Sequence, residues 1–376
     1  MTYPLMKTEK TTKGQLRDLF HDLAVKAEDA ADYVRAKFAD DDPPAIRIAG
    51  FAGYRTHNSA RIKGRVLLDQ PERAAARNDW QRFRAMLSLY NSREVADIPV
   101  RCEGYGISAD AVSDAEGYFS FELPVGDALP AETLWEQVTL SAPQHCVPTR
   151  AVSVPVLAPG TDSKWGVISD IDDTILETGA TDFLKNWRRV LIDQADERVA
   201  VAGAADLYGE MAHDFEKPSR PFFYVSSSPW NLYPMLESFK QLNAIPAGPM
   251  FLKDYGLDDT KFIHAGHGEH KNAAIDTILT AYPQHRFLLI GDSGQHDIDI
   301  YRKAAKAAPD RIGAVLIRNV TEAPITGEKT AALQDIEAMG IAVHYGDDFS
   351  DAKHILERLG LDAPRDIAKA GGLEPE

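Results

Sequence analysis

Apolar residues Leu16, Leu19, Phe20, Leu23, Ala27, Ala31, Val34 and Phe38 recur at intervals of three and four, which predicts one amphipathic helix within residues 1–44. The acidic, proline-marked run Asp40-Asp41-Asp42-Pro43-Pro44 ends it. From about residue 45 the period shortens. Ile62 to Leu68, the run opening at Ile98, Tyr118 to Phe121, Trp135 to Leu140 and Ala151 to Leu157 read as strands separated by turns. Glu72 to Tyr90 carries a helical pattern and is read as an insertion. Residues 45–160 are therefore expected to form a small β-sandwich-like domain.

After Trp165 the rhythm changes again. Apolar runs ending at Ser169, Val225, Leu252, Ile290 and Ile317 alternate with helical patterns such as Leu232, Met235, Leu236 and Phe239, or Ala274, Ile275, Ile278 and Leu279. Buried runs alternating with helices predict a doubly wound parallel sheet over residues 161–365. Residues 366–376 read as a tail. The expected fold class is thus α/β, with the N-terminal helix and the β-sandwich ahead of the parallel-sheet domain. Ligands on such sheets bind at the C-terminal strand ends.

Composition removes several functions. The formal net charge of −16 argues against a nucleic-acid partner, because such binding needs clustered Lys and Arg. No apolar run approaches the ~20 residues of a membrane span, so no transmembrane segment is expected. The N-terminus lacks the apolar core of a secretory leader, and Cys102 and Cys146 are read as two reduced thiols, which together suit a cytoplasmic protein.

The chemistry gathers at the predicted strand ends. Gly166-Val167-Ile168-Ser169 leads into Asp170-Ile171-Asp172-Asp173-Thr174. Two residues apart on extended chain, Asp170 and Asp172 project to one side, and burying both is costly unless a positive group meets them. These five residues alone suit either an acidic solvated turn or a catalytic site. A calcium loop would want an acidic or amide residue at 174 and glycine at 175, where the chain has Thr174 and Ile175. Phe222-Phe223-Tyr224-Val225 runs into Ser226-Ser227-Ser228, whose hydroxyls and amides suit a phosphoryl oxygen or a helix cap. Lys271 precedes a core strand that ends in Gly291-Asp292, and Asp297 follows. Three histidines and a glutamate within His264 to His270 lie just ahead of Lys271, at the mouth of any such site.

The ordered set, DxDxT at 170–174, strand-end Ser226, Lys271 and GDxxxxD at 291–297, resembles the four motifs of the haloacid dehalogenase superfamily. The longer runs Gly166 to Thr174, Tyr224 to Trp230, His270-Lys271 and Ile290 to Gln295 look like the actin-patch phosphatidate phosphatase family. The resemblance implies a haloacid-dehalogenase-like domain and a Mg²⁺-dependent phosphatase. Asp170 would be the nucleophile, Asp172 the general acid and then base, with Thr174, Ser226 and Lys271 placing the carboxylate and the phosphoryl group. Asp170, Asp172 and Asp292 would hold the metal, and Asp297 would reach it through water. It further implies phosphatidate as substrate and diacylglycerol as product, with the enzyme peripheral to a membrane.

Between Thr174 and Ser226 the chain must supply a covering helix, read at Phe183 to Ile192 and Ala204 to Met211, which leaves little for a lid. An open site suits phosphate presented on a membrane or a macromolecule. A phosphoprotein substrate, with the β-rich domain binding a protein partner, is the competing reading. A non-catalytic lipid- or protein-binding module is a third.

Overall fold

The computed structural model describes residues 45–69, 94–126, 128–162, 164–175, 201, 203–214, 217–218, 220–253, 267–294, 296–320, 325 and 327–361. The expected helices within residues 1–44, Glu72 to Tyr90 and Phe183 to Ile192, together with His264 and the tail, lie outside these residues.

The first seven strands are β1 (Ile46–Arg55), β2 (Ser59–Leu68), β3 (Pro99–Gly104), β4 (Ile107–Val112), β5 (Tyr118–Pro124), β6 (Leu134–Ser141) and β7 (Val152–Ala158). They form one sheet in the order β4-β3-β6-β7-β1-β2-β5. All pairs are antiparallel except β1 with β7, which run parallel at Gly53–Val156 and Tyr54–Leu157. The edge strands β4 and β5 come back into contact, so the sheet curls almost into a barrel around Ile62, Val66, Ile98, Val100, Leu140 and Val154.

The second sheet contains β8 (Trp165–Ser169), β11 (Phe222–Pro229), β12 (Met250–Lys253), β13 (Arg286–Asp292), β14 (Ile312–Arg318) and β15 (Ala342–Gly346). Between β8 and β11 the two-residue strands β9 (His213–Asp214) and β10 (Lys217–Pro218) pair with each other. The second sheet is parallel throughout, in the order β12-β11-β8-β13-β14-β15. Alternate strand residues feed two cores. Val167, Phe222, Tyr224, Leu288 and Ile290 pack under helices α1 (Ala204–Ala212), α2 (Tyr233–Leu242) and α6 (Lys353–Leu359). Ile168, Phe223, Val225, Phe287 and Leu289 pack under α3 (His267–Ala281), α4 (Asp297–Ala307) and α5 (Glu328–Ala338).

The fold class expected from the sequence is corrected by these sheets. Among the described residues the protein is a strand-rich pair, a curled mixed sheet beside an all-parallel one, and not the expected haloacid-dehalogenase-like doubly wound domain after a two-layer sandwich. Period-two alternation reports that one strand face is buried, but it does not report whether the facing layer is a second sheet or the same sheet curled round. Here the ten-residue β1 carries a register shift between Phe51 and Tyr54, and such irregularities bend a strand. Strands β4 and β15 had no clear alternation and were not expected at all.

The same bend joins the two sheets. Phe51 leaves the curled sheet and enters the core of the parallel one, its ring 5.1 Å from Trp230 and 4.4 Å from Tyr233. Ala52 N, released from the strand ladder at the shift, donates to Tyr233 Oη at 2.7 Å. Tyr282 Oη donates to Arg55 O at 2.8 Å, and Tyr54 packs against Phe251. Among the described residues no helix is long and apolar enough to cross a membrane. Cys102 is buried in the curled sheet and Cys146 is exposed, with no bridge between them.

Candidate active site

Strand β8 leaves the parallel sheet between β11 and β13, the point from which the strand order runs outward both ways. On open parallel sheets such a switch point is where a ligand crevice lies, and the side chains following β8 stand at it. Asp170 N still donates to Ile290 O at 2.8 Å, so the first residue beyond the strand keeps the ladder and its carboxylate is fixed in direction. Beneath it, Tyr208 from α1 and Ser169 join hydroxyls at 2.6 Å, and Ser169 Oγ donates to Asp170 O. Asp173 then takes a left-handed conformation at φ 56°, tolerated by an aspartate, and its carbonyl accepts from Arg318 at 2.8 Å. The turn after the strand is therefore held from below and from β14.

Asp170 is 1% exposed. Lys271, on the second turn of α3 and equally buried, places Nζ 2.9 Å from Asp170 Oδ1 and 2.6 Å from Asp297 Oδ1. The second oxygen of Asp297 accepts from Asp292 N at 3.2 Å, so this residue opening α4 ties the lysine to the end of β13. Only glycine fits at 291, because a Cβ there would lie 2.5 Å from Asp297 Oδ2 and 2.8 Å from Tyr301 Oη. Asp292 is fully buried and its Oδ1 accepts from Gly294 N at 2.6 Å. Thr174 Oγ1 lies 3.3 Å from Asp170 Oδ2, which it meets as a donor.

Asp172 sits in a different environment. Ser226 Oγ donates to its Oδ2 at 2.6 Å, and Ser228 Oγ lies 3.1 Å from both oxygens. Ser228 N donates in turn to Ser226 Oγ at 2.9 Å. Two residues apart on β11, the two serines share a face, while Ser227 Oγ points away and is buried without a hydrogen-bond partner among the described residues. Ser226, which the sequence suggests for orienting a phosphoryl group, donates here to Asp172, and Ser228 joins it on the same carboxylate. Period-two spacing on a strand was the signal that could have found Ser228. Arg318, at the end of β14, donates to the carbonyls of Asp173 and Asp347.

The electrostatics separate the two acids. Burial pushes the Asp170 carboxyl well above the usual carboxylate range; Lys271 pulls it back, and Asp297, Asp172 and Asp292 push it up again. Burial also raises Asp172, against the donations from Ser226 and Ser228 and the charge of Lys271. For Lys271 burial opposes the charge, but Asp170 and then Asp297 outweigh it and hold the ammonium above the ordinary lysine range. Carboxylate oxygens of Asp170, Asp292 and Asp297 all lie within 4.8 Å of one another. Three buried carboxylates that converge this closely, with one ammonium among them, form an all-oxygen donor set short of positive charge, which fits a hard divalent cation.

All seven residues singled out in the sequence, Asp170, Asp172, Thr174, Ser226, Lys271, Asp292 and Asp297, line this crevice and are buried. From the histidine run, His270 places its Nε2 3.3 Å from Phe251 O, which ties the start of α3 to the neighbouring β12.

Residues 165–319 match the family model for the catalytic domain of phosphatidate phosphatase APP1, a stretch that contains every residue of the site and none of the curled sheet. Phosphatidate phosphatase APP1 of Saccharomyces cerevisiae is 38% identical over 154 residues, covering 41% of this chain and 25% of that protein. An uncharacterized protein of Schizosaccharomyces pombe, C29B5.04c, is 26% identical over 155 residues with the same coverage. The chain thus spans about a quarter of the length of these curated relatives. Among solved structures, a carbohydrate acetylesterase from Xanthomonas citri aligns at 11% identity over 76% of this chain and 71% of that one, with a TM-score of 0.23, which carries no argument.

Proposed function

We propose that the chain is a Mg²⁺-dependent phosphatidate phosphatase that works through an aspartyl-phosphate on Asp170. The observation that carries the reading is the pairing of two buried aspartates with opposite surroundings, one against a lysine and two further carboxylates, the other against two serine hydroxyls. The match of this stretch to a phosphatidate phosphatase catalytic domain supports the substrate. The enzyme is read as cytoplasmic and peripheral, meeting its phosphorylated lipid at the membrane surface.

Asp170, Asp292 and Asp297 supply the carboxylates for the ion, with Asp172 beside them; when bound, Mg²⁺ contributes the positive charge that a phosphate dianion needs near a carboxylate. Lys271 adds its own charge from the α3 side, fixes Asp170 in place and draws its carboxyl back towards the ionised form. An oxygen of Asp170 attacks phosphorus, the bond from phosphorus to the glycerol oxygen breaks, and the leaving oxygen takes the proton of Asp172. Asp172, now ionised and accepting from Ser226 and Ser228, removes a proton from water. That water attacks phosphorus, the bond to Asp170 breaks, and inorganic phosphate leaves. Such acid–base participation is worth about 10²–10⁴-fold.

Phosphate release from phosphatidate in mixed micelles, with and without Mg²⁺, tests this beside a soluble aryl phosphate and a phosphopeptide. Mg²⁺-dependent turnover of phosphatidate that disappears in folded Asp170→Asn is expected. Turnover of the soluble substrates alone removes the lipid assignment, and substantial activity in folded Asp170→Asn removes the nucleophile.

A further inference from the structure

The parallel sheet does not build the whole mouth of its crevice. Lys63, on β2 of the curled sheet and opposite Phe51 in the β1–β2 register, reaches across the junction and places its ammonium 5.0 Å from the ring centroid of Trp230. Trp230 directly follows the β11 end that carries Ser226 and Ser228. On the same strand Pro229 stands in register with Lys253, the last residue of β12. The carbonyl of Phe251 on β12 meets His270, whose chain neighbour is Lys271. Lys63, Trp230, Lys253 and His270 are thus linked in turn along the ends of β11 and β12 and the start of α3, next to the lysine contacting Asp170.

Lys63 is exposed, and it meets no carboxylate among the described residues. In a protein of net charge −16, a solvent-facing ammonium laid on an aromatic ring beside a catalytic crevice is held in position with its charge available. The field at the lip agrees. His270 is held below the usual histidine range by burial first, and then by the charges of Lys253, Lys271 and Lys63. The charges of three lysines from three different elements thus act on one ring.

We propose that Lys63 is a substrate-binding residue lent to the active site by the curled sheet, taking the phosphate dianion at the entrance together with Lys253. The inference rests on the phosphatase reading for its ligand. It also gives the N-terminal sheet a part in the reaction: a crevice with buried carboxylates repels a dianion, and a cationic lip offsets that repulsion on approach. Lys63 gives charge and position at the entrance and has no part in the bond-breaking steps.

The full chain with Lys63→Met and Lys63→Arg tests it; methionine keeps the apolar stem on Trp230 and drops the charge, arginine keeps both. In Lys63→Met, KM is expected to rise about fivefold for micellar phosphatidate and for a soluble aryl phosphate alike, with kcat little changed and the deficit shrinking at high salt. Lys63→Arg should recover most of the loss. Inorganic phosphate titrated calorimetrically into the Mg²⁺-supplied proteins should bind correspondingly more weakly to Lys63→Met. Equal phosphate binding by wild type and Lys63→Met, or no phosphate binding by wild type, overturns the inference. So does a salt-insensitive loss in kcat alone, which would mark a packing effect through Trp230. A loss confined to the micellar substrate would place Lys63 on the lipid surface and not on the phosphate, overturning it as stated. The calorimetric comparison decides the matter even if wild type turns over none of the substrates, an outcome that would fall on the proposed function alone.

Discussion

Phe51→Ala addresses how far the catalytic crevice depends on the sheet beside it. Phe51 is 3% exposed and sits in the core of the parallel sheet although it belongs to the curled one. Truncating a buried phenylalanine costs about 3–5 kcal/mol through lost transfer energy and the cavity left behind. Its two ring contacts, at 5.1 Å to Trp230 and 4.4 Å to Tyr233, place the expected loss towards the upper part of that range, since aromatic pairs add about 0.5–1.5 kcal/mol beyond area. For a unit of 150–250 residues each kcal/mol is worth roughly 2–4 °C, so the thermal midpoint should fall by on the order of 10 °C. The functional consequence travels by a short route. Trp230 loses one of its two stacking partners and keeps Tyr233, the turn from Ser226 to Trp230 gains freedom, and the two hydrogen bonds that aim Asp172 are held less firmly. Calorimetry of the full chain and phosphate release well below the midpoint measure the two effects together, with about a tenfold loss in kcat/KM expected. Phe51→Leu, which keeps most of the volume, should cost less than about 1.5 kcal/mol. A Phe51→Ala protein that melts within ~2 °C of wild type, or one that melts early yet keeps full kcat/KM at low temperature, refutes the reasoning.

Two further outcomes follow from the charges. Asp292→Asn should raise the thermal midpoint of the metal-free chain while removing its response to Mg²⁺. Two ionised carboxylates within 4.8 Å of each other at an effective dielectric near 20 repel by on the order of 3 kcal/mol; proton uptake by Asp170 relieves part of this, leaving ~1 kcal/mol or more, or roughly 2–4 °C, while asparagine keeps the acceptor for Gly294 N. A lower metal-free midpoint contradicts this. Ser228→Ala removes a donor that draws the Asp172 value downward, so Asp172 should keep its proton to higher pH and the alkaline limb of kcat/KM should move up. The sign for stability agrees: with Asp172 raised in the folded state, the folded protein holds more protons than the unfolded chain between the ordinary carboxylate value and its own, so this group lowers stability as pH rises through that window, and Ser228→Ala widens it. A limb that stays or moves down removes Asp172 from the acid role.

Much of the site was legible because its residues sit at fixed offsets from strand ends. A buried strand must stop where the sheet stops, so Asp170, Ser226 and Asp292, each at or just beyond an apolar run, could be assigned to one edge from the chain alone. Period two put Asp170 and Asp172 on the same side and period 3.6 gave the helices between. What stayed hidden was pairwise. Whether Ser226 met phosphate or Asp172, that Asp297 clamps Lys271 while accepting from Asp292 N, and that Arg318 holds the Asp173 carbonyl all depend on distances between elements far apart in sequence, which periodicity does not encode.

The curled sheet marks the same boundary on a larger scale. By itself the sequence determined which residues turn inward, where the parallel strands end and which acids and lysine gather there, because burial and chain geometry act locally and leave a period. Only the tertiary structure decided that the first seven strands make one curled sheet and that its Phe51 plugs the neighbouring core. It also decided that Lys63 of the curled sheet lies over Trp230, from outside the stretch that matches the family model. The Phe51 contact sits at the register shift in β1 between Phe51 and Tyr54, settled by how whole sheets pack and visible in no local pattern.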